Sequence, residues 1–209
     1  SMADKELFAD QQNVSRETLE RLQIYEDVLR KWTSKINLVA KSTVDSVWSR
    51  HFLDSAQVFD AIPQGSENLS DFGSGGGFPG LVIAAIAAEK LPNLSVSLIE
   101  SDVRKASFLS TAAREMGLKV NIHAKRVEDI APLSSDVVTA RALAPLADLF
   151  IMTERHLRPD GTGLFLKGEQ HLTELDRASK VWEFDVTTQQ SKTNPSSALL
   201  TIKKLKRAA

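Results

Sequence analysis

No cysteine occurs among the 209 residues, so the chain has no disulfide framework, no cysteine-ligated zinc or iron–sulfur cluster and no thiol nucleophile. A cysteine-free composition suits a reducing compartment, and the expected location is cytoplasmic. Long hydrophobic runs are also missing. None approaches the roughly 18 residues that a membrane span requires, and the start lacks a secretory apolar segment, so no membrane partner is expected. Ser1 ahead of Met2 has the look of an expression-tag remnant and carries no weight for the fold. His123, His156 and His171 are dispersed without ligand spacing, so no metal is expected. An excess of one charge is the last absence. The formal net charge is −1, so any polyanionic partner has to be held by local patches. Lys203-Lys204-Leu205-Lys206-Arg207 is the densest, and Arg104, Lys105, Arg114, Lys119, Lys125 and Arg126 form a scattered second group.

The hydrophobic pattern divides the chain. Ser15 is a candidate N-cap, and Leu19, Leu22, Tyr25, Leu29, Trp32 and Ile36 recur at helical spacing, which predicts an amphipathic helix over 15–33. A second helical stretch covers about 44–61. The expectation is an N-terminal helical cap over 1–64 packed on a core over 65–209, together one compact unit. From Pro63 onward strands and helices alternate: strand 68–72, helix 81–89, strand 95–100, helix 101–116, strands 120–123 and 136–140, a helix after Pro145 to His156, and strand 163–167. Two strand-like segments, 181–187 and 198–203, then follow with only a turn between them. This order predicts an α/β fold, a Rossmann-like, mostly parallel sheet with an antiparallel edge strand and an N-terminal helical extension. That is the shape of a class I S-adenosylmethionine-dependent methyltransferase, whereas a dinucleotide domain ends in parallel strands.

Five of the ten glycines fall in Gly73-Ser74-Gly75-Gly76-Gly77-Phe78-Pro79-Gly80, directly after the first strand. Such a turn lets backbone approach a nucleotide-like ligand. Gly75 to Gly80 matches G-x-G-x-x-G literally, which keeps a nicotinamide-dependent oxidoreductase in play. Asp71 tilts the reading toward a cationic cofactor, S-adenosylmethionine, whose ammonium it would accept from directly or through water; a carboxylate there would repel a pyrophosphate. Pro79 removes a backbone donor that a diphosphate would use. Gly75 and Gly77 are candidate loop contacts. Glu100, at the end of the second strand, is placed to take the ribose hydroxyls under either reading. Val127 and Glu128 follow the third strand, where an adenine would lie.

Absences also narrow the methyl acceptor. Carbon-5 methylation of pyrimidines uses a cysteine, and exocyclic amino methylation usually draws on an Asp/Asn-Pro-Pro-aromatic turn, where this chain reads Thr139-Ala140-Arg141-Ala142-Leu143-Ala144-Pro145. Ribose methylation uses a lysine general base, which a single sequence neither places nor excludes, whereas a guanine ring nitrogen 7 carries a free lone pair, so its methylation needs no proton removed and no general base. Arg141 suits a carboxylate or phosphate.

Asp71 to Gly80, Asn37-Leu38, Arg50-His51-Phe52-Leu53-Asp54-Ser55, Val127-Glu128, Ser135 to Ala142 and Leu166-Lys167-Gly168 together resemble the glucose-inhibited division protein B family. The resemblance runs from about Leu19 to Lys203. It implies an enzyme that methylates nitrogen 7 of one guanine in small-subunit ribosomal RNA, with the RNA or the small-subunit particle as partner, and a monomer is expected. Carried onto matching positions, it implies that Gly73, Phe78, Val127, Glu128 and Arg141 contact S-adenosylmethionine. Many relatives have proline at Gly76 and leucine at Phe78. Asn37, Arg50, His51 and Lys167 are candidates for the rim where a flipped guanine and its phosphates arrive; Arg50 pairing with Asp54 one turn on is the alternative. A non-catalytic RNA-binding protein that kept the fold is a third reading.

Overall fold

All 209 residues are described in the computed structural model of the chain. Its helices are α1 (Met2–Gln12), α2 (Arg16–Ile36), α3 (Leu53–Asp60), α4 (Gly80–Lys90), α5 (Val103–Glu115), α6 (Leu146–His156) and α7 (His171–Ser179). The strands are β1 (Asn68–Phe72), β2 (Ser95–Ile99), β3 (Asn121–His123), β4 (Ser135–Arg141), β5 (Leu157–Lys167), β6 (Trp182–Gln190) and β7 (Ala198–Arg207). They form one sheet in the order β3-β2-β1-β4-β5-β7-β6. β1 to β5 pair in parallel, while β7 runs antiparallel to both β5 and β6. The antiparallel strand thus sits one place in from the edge. The α7 crossover carries the chain past a gap beside β5, and the turn after β6 folds β7 back into it.

Alternation along the central strands separates two apolar layers. Leu69, Val137, Leu164 and Leu199 enter a cluster of 33 buried residues on one face, whereas Phe72, Val138, Phe165 and Leu200 enter a cluster of 15 on the other. The larger cluster includes Phe8, Leu22, Tyr25, Trp48 and Phe59 alongside Leu81 to Ala87, so the N-terminal helices share a core with the sheet. That explains why α4 is buried from Gly80 through Ala87: it lies between the sheet and the N-terminal helices, and needs no polar face.

α2 starts where expected. The Ser15 hydroxyl accepts from Thr18 N at 3.2 Å, and Asn37 closes the helix in the left-handed region at φ 49°. The second helical stretch is broken up instead: a 3₁₀ turn over Lys41–Ser46 and a π-turn over Val47–Phe52 precede α3, and the π-turn carries Arg50 and His51. Two helices fall outside the sequence reading. α1 buries only Phe8 and Gln12 and has no apolar stripe, whereas α7 has Leu172, Leu175 and Ala178 at helical spacing but spans only 9 residues. No helix is long and apolar enough to cross a membrane.

β1 is the topological switch point, since the chain goes from it to β2 on one side and returns to β4 on the other. Crevices at the carboxyl ends of strands form at such a point.

Candidate active site

A cleft of about 450 Å³ opens there, with Gly73, Ile99, Val127, Glu128, Leu143 and Met152 in its lining. Ile99, Val127 and Met152 give it apolar walls of the kind a purine ring packs on, and the volume lies within the range of small-molecule sites. Gly75 faces open space: a Cβ added there would meet only the Gly73 carbonyl at 3.8 Å. The Val127–Glu128 turn is held from behind. Leu133 N donates to His156 Nδ1 at 3.2 Å, so the proton of the buried imidazole is on Nε2, which donates to the Val127 carbonyl at 2.8 Å. Glu128 is exposed at the mouth and pairs with Arg126 at 3.3 Å.

Asp71 does not line this cleft, so its expected direct contact with a cofactor ammonium is corrected. Its side chain is wholly buried; one oxygen accepts from Thr139 Oγ1 at 2.7 Å, the other from Ser74 Oγ at 2.7 Å and Gly80 N at 3.2 Å. Burial raises its carboxyl to about 6 against these hydrogen bonds. The carboxylate therefore occupies the N-terminus of α4 from inside. In a dinucleotide domain that position receives the pyrophosphate, so the literal G-x-G-x-x-G match carries no diphosphate site. Four other loop amides turn inward: Gly73 N and Ser74 N donate to the Ile99 carbonyl, and Gly77 N and Phe78 N to the Ser74 carbonyl.

Glu100 grips the loop from β2. One oxygen accepts from Gly75 N and the other from Asp102 N, both at 2.8 Å, and each oxygen keeps a second lone pair.

Three further expected contacts face the helical cap. Phe78 is buried, its ring 5.7 Å from that of Tyr25 and 4.9 Å from that of His51, both near parallel. Gly77 lacks a Cβ to make room for Tyr25, whose hydroxyl would lie 2.1 Å from it. Arg141 lies over Phe78 at 5.1 Å and donates to His51 Nδ1 at 3.0 Å. The side chains of Phe78 and Arg141 are thus directed to the cap rather than the cleft. An arginine always donates, so His51 carries its proton on Nε2 and gives it to Thr43 Oγ1 at 2.9 Å. Burial, then the Arg141 and Arg50 charges, lower the imidazole to about 4, and His51 is neutral near pH 7. After Arg141 the chain reverses through Ala142 at φ 42°, which sends Arg141 inward and lays Leu143 over Gly73.

Of the expected rim, Asn37 and Arg50 are exposed. Arg50 leaves Asp54 to Thr193 and Ser191, whose hydroxyls donate to it. Lys167 is corrected: it is buried, pairs with Glu174 at 3.0 Å and donates to the Ala144 carbonyl, while Glu174 caps α6 through Leu146 N at 2.9 Å. A strand-end lysine spent in this way cannot line a rim.

Sequence reasoning missed Tyr25, His156, Leu143 and Met152. Tyr25 had left a signal, as the one tyrosine of the chain on an apolar helix face, where a buried hydroxyl requires a partner. The others are visible only once β4, α6 and the β3 turn are brought together.

The family described as GidB, rRNA small subunit methyltransferase G, matches residues 18–199. The Ribosomal RNA small subunit methyltransferase G of Ruegeria sp. (strain TM1040) is 49% identical over 195 residues, covering 93% of this chain and 95% of that protein. Its namesake in Paramagnetospirillum magneticum (strain ATCC 700264 / AMB-1) is 46% identical over 206 residues, 99% of this chain and 98% of that one. Among solved structures, M. jannaschii TYW2 in complex with AdoMet is similar with a TM-score of 0.58 at 14% identity, over 84% of this chain and 80% of that one. A ribosomal protein L11 methylase from Lactobacillus delbrueckii subsp. bulgaricus gives 0.56 at 20% identity, over 74% and 77%. These two likenesses bear on the fold, a class I methyltransferase architecture. On the match across most of its length, the chain belongs to the rRNA small subunit methyltransferase G family.

Proposed function

We propose that this protein, a ribosomal RNA small-subunit methyltransferase by family, transfers the methyl group of S-adenosylmethionine to nitrogen 7 of a guanine in small-subunit RNA. The observation that carries the choice of cofactor is the Asp71 carboxylate seated at the N-terminus of α4. It supports a ligand without a diphosphate and argues against the nicotinamide reading.

When bound, the cofactor supplies a methyl group activated by a sulfonium. The chain's part is to hold it and to present the acceptor. Gly73 and Gly75 leave room for its close approach, Glu100 accepts from the sugar hydroxyls, Ile99 and Val127 pack the adenine, and Glu128 accepts from the adenine amino group. Phe78, Gly77 and Asp71 shape the loop from behind. Guanine nitrogen 7 attacks with its own lone pair, so no side chain has to remove a proton, and the rate depends on alignment. Arg141, held between Phe78 and His51 at the end of β4, bears on that alignment through the loop. The open part of the rim, Asn37 and Arg50, faces the incoming RNA.

Transfer of labelled methyl to small ribosomal subunits and to free small-subunit RNA, followed by nucleoside digestion, tests the reading. The expected product is 7-methylguanosine in one of the two arms. Label in another nucleoside would overturn the acceptor atom, and label in protein the RNA. Calorimetry with S-adenosylhomocysteine and NAD side by side tests the cofactor, with binding expected for the first alone.

A further inference from the structure

A second concave surface lies beside the active site. Between the C-terminal half of α2 and the first turns of α5 runs a groove of about 500 Å³, lined by Lys31, Trp32, Lys35, Val103, Arg104 and Ser107 among others. We infer that this groove seats the ribose-phosphate strand of the RNA next to the cofactor cleft, a statement that rests on the RNA methyltransferase reading above.

Charge is the first argument. Lys31 and Lys35 stand one turn apart on the same face of α2, Arg104 opposes them from α5, and no aspartate or glutamate lines the groove. None of the three cations takes part in an ion pair. Asp27, one turn before Lys31, accepts from Gln23 at 3.1 Å, and Asp102 is spent capping α5 through Arg104 N and Lys105 N. The denser basic run at the C-terminus behaves oppositely. It is a strand, and three of its four charges are met, by Asp185 for Lys204, Glu183 for Lys206 and Glu154 for Arg207, while Lys203 has no ion pair. Of the scattered basic group, Arg104 joins Lys31 and Lys35 in the groove, whereas Arg126 pairs with Glu128.

Arg104 and Lys105 fall in the first turn of α5, where the helix dipole disfavours cations and the carboxylate of the N-cap Asp102 stands beside them. The floor of the groove is partly apolar: Val103 is 67% exposed, and Trp32 is half-buried, with its ring against Phe108 at 5.9 Å. A flat aromatic surface between cations accepts an unstacked base as well as a phosphate.

Both walls end at the glycine loop. Asp102 N donates to Glu100, which in turn holds Gly75 N, and the Leu38 carbonyl, two residues past α2, lies 3.0 Å from where a Gly76 Cβ would be. A strand in the groove therefore leads toward the mouth of the cleft, whose lining includes Ser101 just ahead of α5.

The test compares Lys31→Gln/Lys35→Gln/Arg104→Gln with a control of equal charge change, Lys203→Gln/Lys204→Gln/Lys206→Gln. Affinity for free small-subunit RNA and for small subunits is read by fluorescence anisotropy across a salt series, which needs no methylation. The groove variant is expected to bind about 10-fold more weakly and to show a log–log salt dependence shallower by about 2, at roughly 0.7–0.9 per phosphate contact. S-adenosylhomocysteine affinity stays within two-fold of the parent, which reports an intact fold and loop. Equal effects of the two triple variants, or an unchanged salt slope in the groove variant, overturn the proposal. A parent protein that binds RNA with these properties yet transfers no methyl removes the enzymatic reading and leaves the groove standing.

Discussion

The Tyr25 hydroxyl of α2 donates to the Gly76 carbonyl of the glycine loop at 2.5 Å across 51 positions of sequence. Burial pushes the phenol well above its usual range, so it remains a donor at any working pH, and its ring stacks on Phe78 of the same loop. The N-terminal helices thereby set the shape of the turn that faces the cofactor.

Replacing Tyr25 with Phe keeps the stack and removes only this bond. A buried carbonyl left without its partner costs about 1–2 kcal/mol, read as a lower denaturation midpoint. The expected functional result is S-adenosylhomocysteine binding weakened about five-fold in calorimetry. Loss of stability with cofactor affinity intact would show that the loop keeps its form without the helix.

Gly75 and Gly77 separate a contact from a support. At Gly75, with φ +54° and open space beyond, alanine costs about 1–2 kcal/mol for the left-handed conformation; the protein folds while S-adenosylhomocysteine affinity falls at least ten-fold. At Gly77, with φ +97°, a Cβ collides with the Tyr25 hydroxyl and with Leu81 Cβ at 2.8 Å. Alanine there is expected to lower stability by more than about 3 kcal/mol. Matched thermal melts of the two variants decide this, and similar melting losses would refute the distinction.

The acid limb of stability carries opposite contributions from His51 and Asp71. The His51 imidazole is lowered from 6.5 to about 4 in the fold, so its contribution is complete above pH 6.5 and is lost as pH falls through about 4. The Asp71 carboxyl is raised from 3.8 to about 6, so its contribution is complete below pH 3.8 and is lost as pH rises through about 6. His51→Gln removes the first alone. From pH 7 to 4 the variant should gain stability relative to the parent, measured as denaturant midpoints; parallel curves would mean that His51 does not titrate in this environment.

Lys167 is predicted to be a stability residue. Lys167→Met leaves Glu174 and the Ala144 carbonyl without their cation, at a cost of about 2 kcal/mol, below the ~3–5 of a fully buried pair because Glu174 remains partly solvated. RNA affinity should hold once the folded fraction is taken into account. A selective loss of RNA binding in a fully stable variant would return Lys167 to the rim.

Much of the architecture was legible because burial imposes period. The fully apolar run after Gly80 and the alternation of strands with helices required a sheet covered on both faces, and the closing pair of strands with only a turn between them required antiparallel pairing. α1 escaped because a helix that buries two residues leaves no period, and α7 because its period, Leu172, Leu175 and Ala178, runs over only 9 residues. The π-turn over Val47–Phe52 escaped because its residues spell an ordinary helix and only packing selects the wider turn.

Residue types and spacing were thus enough to place a glycine turn at the end of β1, acids at the ends of two neighbouring strands and a class I methyltransferase sheet. Which way each polar group points was decided by the tertiary structure alone. Asp71 and Lys167 read as site residues but are spent inside, the first on the α4 N-terminus and the second on Glu174, whereas Tyr25, read as part of an apolar helix face, and His156, read only as lacking metal-ligand spacing, brace the site. The physical reason is that a buried polar atom takes whichever partner the packing brings within about 3 Å, whether that partner lies seven residues on, as Glu174 does from Lys167, or 51, as Gly76 does from Tyr25.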